Sequence, residues 1–203
     1  MPTISYAITA CNEHTELDRL LDQLSKEIPS TDEIIVQLDS ENFTQEVERV
    51  VEKYSKTTRI YFALNGDFST FKNNIKKHCT KDYIFFIDAD EYLSEELLEN
   101  LKEILEQNNH TQLFLTPRIN TVEGLTPEHI QRWGWNVNEK GWVNFPDHQT
   151  RIVKNEPEIN WENKVHERLV GFKLYASLPD EYCLIHPKDI KRQERQNDFY
   201  SKL

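Results

Sequence analysis

Residues 83–93 read Tyr-Ile-Phe-Phe-Ile-Asp-Ala-Asp-Glu-Tyr-Leu. Five apolar side chains run without a break and stop at Asp88. A strand with one wet face alternates apolar and polar side chains. An unbroken run belongs to a strand covered on both faces, as in parallel sheets flanked by helices. The carboxylates of Asp88 and Asp90 fall at the C-terminal end of that run, where open α/β sheets keep their ligand crevice. Two carboxylates there are costly unless a positive charge joins them, and a divalent cation carrying a phosphate ligand meets that need. Asp-x-Asp pairs are common on solvated loops, so it is the buried run ahead of this one that singles it out.

The rest of the first half repeats the same strand–helix rhythm. Strands are expected at Ile4–Thr9, Glu33–Leu38, Arg59–Ala63, Tyr83–Ile87 and Gln112–Thr116. Between them, Leu17, Leu20, Leu21, Leu24 and Ile28 follow helical spacing, as do Val47, Val50, Val51 and Tyr54. Phe68–Cys79 reads as a short helix. Ser94 can cap another, with Glu95 and Glu96 in its first turn and Leu97, Leu98, Leu101, Ile104 and Leu105 as its stripe. This alternation calls for an α/β fold, a mostly parallel sheet with helices on both faces. From Asn120 to Asn163 helical periodicity is poor, and all four tryptophans lie there. Gln149–Val153 and Tyr182–Ile185 read as short strands, and Asp189–Leu203 as a closing helix.

Length and charge narrow the function. The 203 residues suffice for one domain with a sizeable core. A net charge of −11 argues against a broad nucleic-acid surface, which needs basic groups to neutralise phosphates. No apolar stretch approaches the ~20 residues that span a bilayer. The opening residues lack a basic leader pattern and read as a strand. Three cysteines without metal spacing suit reduced thiols, so a cytoplasmic protein is expected. No Gly-x-Gly-x-x-Gly follows the first strand and no Walker A sequence occurs, and with five glycines in all, a backbone-only phosphate cradle is not expected. A nucleotidyltransferase on a related fold would carry a glycine-rich basic loop where Ala10-Cys11-Asn12-Glu13 stands. A degenerate nucleotide- or glycan-binding module is the non-enzymatic alternative; it would keep Asp39 and Asp88 without a base.

Five blocks, in order, resemble an inverting family 2 glycosyltransferase of the GT-A fold. They are the first strand with Asn12-Glu13, Asp39 at the end of the second strand, and Asn65-Gly66 with Phe71-Lys72-Asn73. Phe-Ile-Asp-Ala-Asp-Glu follows, and then Phe145-Pro-Asp-His-Gln-Thr-Arg-Ile with Trp161-Glu-Asn-Lys-Val-His-Glu-Arg-Leu. The last of these, with the closing His186-Pro-Lys and Phe199-Tyr200, is similar to the glucosyltransferase subgroup that decorates lipooligosaccharide cores and related glycans.

The resemblance implies one GT-A domain over residues 1–203, with a nucleotide-sugar half (1–118) and an acceptor-side half (119–203). It implies a metal-dependent hexosyltransferase with a nucleotide-sugar donor, a uridine diphosphate sugar and first of all UDP-glucose. The acceptor would be a hydroxyl on a glycan, a lipid-linked glycan or another molecule. Asp90 would bind the cation, Asp88 would bind it through water or take a ribose hydroxyl, and His186 is the candidate imidazole. Hard oxygen ligands with one imidazole favour Mn²⁺ or Mg²⁺. Asp39 would contact the nucleobase. Ala10, Asn12, Glu13, Asn65, Lys72, Ala89, Arg151 and Lys188 would line the nucleotide-sugar site. Inversion needs a base opposite the leaving group; Glu167 is the first candidate and Asp147 the second. Trp133 or Trp135 would touch the acceptor.

Overall fold

The computed structural model describes residues 1–200, with side chains through 198; the end of the expected closing helix, 201–203, and the side chains of Phe199 and Tyr200 lie outside the described residues. The first half holds β1 (Ile4–Ala10), α1 (His14–Glu27), β2 (Glu33–Asp39), α2 (Gln45–Lys53), β3 (Thr57–Phe62), α3 (Phe68–Lys76), β4 (Tyr83–Asp88), β5 (Tyr92–Leu93) and α4 (Glu95–Gln107). Then come β6 (Leu113–Thr116), β7 (Arg118–Glu123), α5 (Pro127–Trp133), β8 (Gln149–Lys154), β9 (Asn160–Glu162), β10 (Arg168–Val170), β11 (Tyr175–Ser177), β12 (Leu184–Asp189) and α6 (Ile190–Tyr200).

Seven strands form one sheet in the order β11-β6-β8-β4-β1-β2-β3. β1, β2, β3 and β4 pair in parallel, and β8 runs antiparallel between β4 and β6. The expected mostly parallel sheet is present, with one antiparallel strand supplied by the second half of the chain. Alternation along β4 shows why its sequence is apolar throughout. Tyr83, Phe85 and Ile87 pack into a core shared with Leu17, Leu20, Leu21 and Leu24 of α1, Val47 and Val51 of α2, and Leu97, Leu101 and Leu105 of α4. Ile84 and Phe86 face the other way, into a core shared with Ile75 of α3 and with Trp161 and Leu169 of β9 and β10. Both faces are dry.

The helices start where short polar side chains can take up free backbone N–H groups. Thr44 accepts from Val47, Asp67 from Thr70 and Ser94 from Leu97. A second sheet, β5-β12-β7, is small and stands beside the C-terminal end of β4. The β9–β10 hairpin is antiparallel and is pinned to the large sheet by Trp161, which meets Phe86 edge-on at 5.3 Å. Asn73 of α3 brackets the backbone of Trp161, donating to its carbonyl at 2.8 Å and accepting from its N–H at 2.9 Å. Trp161 is therefore a core residue. No helix among the described residues is long and apolar enough to cross a membrane.

Candidate active site

β1 lies between β2 and β4 and pairs in parallel with both, so the C-terminal ends of these three strands lie side by side, where open α/β sheets keep their ligand crevice. Ala10–Glu13, Asp39 and Asp88–Asp90 all sit there. Asp39 is buried and accepts from the N–H groups of Leu64 and Glu41 at 3.1 and 3.3 Å, and from Asn42 at 2.8 Å. It thereby fastens the end of β3 to its own turn, just before Asn65-Gly66, where both residues have positive φ. Glu13 folds back to accept from the N–H groups of Cys11 and Asn12. Burial, with Glu13 and Asp39 nearby, pushes the Cys11 thiol up to about 11, which keeps it protonated at neutral pH.

The acids after β4 part company. Asp88 turns to Arg151 of β8, 2.5 Å away, and Arg151 also donates to Glu91 at 2.6 Å. Glu91 is fully buried, takes Arg118 at 2.9 Å, and accepts from the Asp88 N–H through its other oxygen. Arg118 then reaches Asp147 at 2.7 Å, and Asn120 and Gln149 complete that carboxylate. Burial alone would raise the Asp88 carboxyl, but Arg151 and then Lys72 hold it well below the usual carboxylate range. Burial lowers the Arg151 guanidinium, yet Asp88 and Glu91 outweigh it and raise it beyond its usual value. Asp88 is thus a fixed negative charge at every physiological pH.

Asp90 turns to the small sheet. Its Oδ2 lies 3.1 Å from Nε2 of His186 on β12, whose Nδ1 is 2.7 Å from Asn120. Burial works against ionisation of Asp90, but the His186 bond prevails and brings the carboxyl to about 2. Arg192 of α6 also approaches the same oxygen at 3.2 Å, and reaches Glu13 and Glu16. One carboxylate and one imidazole form a donor pair suited to Mn²⁺ or Mg²⁺. Among the described residues no group of three His, Cys, Asp or Glu side chains could hold a metal.

Across the crevice, Lys72 of α3 is buried and its ammonium lies 2.5 Å from Glu167 and 4.5 Å from the Trp161 ring. Glu167 sits in the β9–β10 loop, beside His166 with φ 55°, and the loop is tied down by the Phe68 N–H donating to the Lys164 carbonyl at 2.9 Å. Lys188 follows His186 on β12 and donates to Gln196 of α6. The structure therefore brings together Asp88, Asp90, Lys72, Glu167, His186, Arg151 and Lys188. Asn65 is exposed on its turn. The sequence reading missed Glu91, Arg118, Asn120 and Arg192. Glu91 carried a signal, since it directly continues the buried run and its acidic pair.

The chain belongs to glycosyl transferase family 2, whose model matches residues 5–175. Among curated relatives, the SPbeta prophage-derived glycosyltransferase SunS of Bacillus subtilis (strain 168) is 32% identical over 183 residues, covering 90% of this chain and 38% of SunS. The poly(ribitol-phosphate) beta-N-acetylglucosaminyltransferase TarP of Staphylococcus aureus (strain N315) is 30% identical over 113 residues, 54% of this chain and 35% of TarP. The chain spans about a third of the length of these curated relatives. The crystal structure of S. aureus TarS 1–349 superposes with a TM-score of 0.66 at 16% identity, over 91% of this chain and 60% of that one. Its complex with UDP-GlcNAc gives 0.65 at 18% identity, over 92% and 58%. The fold is the GT-A fold.

Proposed function

We propose that the chain transfers a sugar, with inversion, from a uridine diphosphate sugar to a hydroxyl on a glycan or lipid-linked acceptor, with Mn²⁺ or Mg²⁺ bound. The observation that carries this reading is the meeting of Asp90 with His186 on one side of the crevice and of Lys72 with Glu167 on the other. Uridine is supported by the TarS structures with UDP and UDP-GlcNAc, and the sugars to try first are glucose and N-acetylglucosamine.

Asp90 and His186 would hold the cation, whose contribution as a Lewis acid is to neutralise the departing diphosphate. Asp39 would face the nucleobase from its braced turn. Asp88, fixed by Arg151, would accept a ribose or sugar hydroxyl. Glu167 would take the acceptor proton as the acceptor oxygen bonds to the anomeric carbon and the bond to diphosphate breaks. Lys72 holds one oxygen of Glu167, which aims the other at the acceptor.

The test is UDP release from UDP-glucose and UDP-GlcNAc in the presence of Mn²⁺. Asp90→Ala should abolish release, and undiminished release would remove the cation from Asp90. Glu167→Gln should bind UDP normally and lose transfer; transfer near the native rate would place the base elsewhere.

A further inference from the structure

α6 continues β12 without a loop, and its root is firmly held. The Asp189 carboxylate accepts from the Arg192 N–H at 2.9 Å, as a cap does. Ile190 lies against Gly124, 3.1 Å from where a Cβ would stand. Beyond that root the helix has no apolar grip. A surface helix is ordinarily held by an apolar stripe, as α4 is by Leu97, Leu101 and Leu105. No α6 side chain through residue 198 is buried, and after Ile190 the half-buried ones are Arg192, Gln193, Gln196 and Asn197.

The contact that reaches furthest is made by Arg192. Its guanidinium meets three carboxylates, Glu16 of α1 at 2.6 Å, Asp90 at 3.2 Å and Glu13 at 3.4 Å. Arg192 stands in the first turn of α6, where the helix dipole disfavours a cation, and no acid shares that turn. Its position therefore serves the acids of the crevice and not the helix. We infer that α6 is a latch over the Asp90 end of the crevice, shut by Arg192 and released when a divalent cation takes the Asp90 carboxylate; the inference rests on the transfer reading above for that cation.

The two positive groups exclude each other. Oδ2 of Asp90 already faces both Nε2 of His186 and the Arg192 guanidinium. A cation on that oxygen would set two further positive charges against Arg192, in a site where only 13% of the Asp90 side chain is exposed. The other ties of α6 are slight: Glu194 lies 3.6 Å from His129, and Gln196 accepts from Lys188. Partly exposed ion pairs are weak one by one and are screened by salt. A helix held only by such contacts belongs to the low-stability end of a molecule, from which moving elements are drawn. While the latch is shut, the apparent affinity for the cation falls by the fraction of chains that are open.

The experiment measures amide exchange of residues 190–198 by NMR on the full chain, with α4 as internal reference. Arg192→Gln and Glu16→Gln are compared with Arg195→Gln, which removes the same kind of charge from an exposed position of the same helix. In EDTA, the first two should exchange about fivefold faster or more in α6 than Arg195→Gln, with α4 unchanged. Mg²⁺ with UDP should speed α6 exchange in the native chain and add little in Arg192→Gln. Free Mn²⁺ read by electron paramagnetic resonance in the presence of UDP gives the cation affinity. Both Arg192→Gln and Glu16→Gln should tighten it about threefold or more. Glu16→Gln is the stricter case, because losing a negative charge would weaken Mn²⁺ if the local field alone mattered. The inference is overturned if α6 exchange in Arg192→Gln matches Arg195→Gln, if Glu16→Gln weakens Mn²⁺, or if the native chain binds Mn²⁺ while α6 exchange stays unmoved by Mg²⁺ and UDP. Should α6 loosen in Arg192→Gln while no chain binds Mn²⁺ with UDP, the cation of the transfer reading fails, and release by a cation fails with it.

Discussion

At the scale of single residues, a chain of buried and half-buried charges decides which acid does what. Arg151 reaches Asp88 from 63 residues away in sequence and neutralises Glu91 with the same nitrogen. Asp88 is thereby committed to an arginine, and Asp90 is left facing His186. Asp147 closes the other end of the network. Burial would raise its carboxyl, but Arg118 and the bonds from Asn120 and Gln149 lower it overall. A folded value below the unfolded value of about 3.9 means that the native state favours the charged form. That stabilisation is complete above about pH 4 and is lost as pH falls through the lower folded value. Urea midpoints at pH 6 and pH 3 should therefore draw together in Asp147→Asn relative to the native chain, and equal pH dependence in the two would refute the assignment. Asp147 has Arg118, Asn120 and Gln149 on its oxygens, whereas among the described residues Glu167 has Lys72 alone.

At the scale of elements, the β9–β10 hairpin carries Glu167, and its closure depends on one glycine. Gly171 has φ 87°, and an added Cβ would stand 1.9 Å from the Glu158 carbonyl oxygen. Gly171→Ala should cost more than the ~1 kcal/mol of an ordinary Gly/Ala exchange, because backbone rather than a side chain must move. It should also displace Glu167, so transfer falls much further than UDP affinity; a parallel fall in both would contradict a local effect. The elements that frame the crevice from the first half were legible in the sequence. β4 is a continuous apolar run up to Asp88, β1 and β2 are mostly apolar with Ser5, Thr9 and Gln37 interspersed, and α1, α2 and α4 carry stripes at helical spacing. The second half was harder to read because its elements are short and held from afar. β9 and β10 have three residues each, and β11 sits at the edge of the large sheet beside β6. α5 buries none of its residues, so it has no stripe, although Thr126-Pro127 and Gly134 mark its two ends. The pair Asp90–His186 was anticipated; the Glu91–Arg118–Arg151 cluster was not, since nothing local announces which arginine will meet a buried acid.

At the scale of the whole molecule, β8 makes the two halves of the sequence one object. It separates β4 from β6, and it brings Arg151 to the acids at the end of β4. A polypeptide leaving the ribosome would expose β4 as an apolar edge, with Asp88 and Glu91 uncompensated, until residue 154 had emerged and β8 had docked. Such an edge recruits other chains, and a contact that spans so much sequence forms late. A fragment ending at residue 118 should accordingly accumulate as aggregate, and adding back 119–203 in trans during refolding should recover soluble UDP binding; a soluble, UDP-binding 1–118 fragment would show that β8 is dispensable. If the proposed transfer reading holds, nucleotide recognition would not be a severable property of the N-terminal residues but would be acquired only when the chain returns to seal its own sheet.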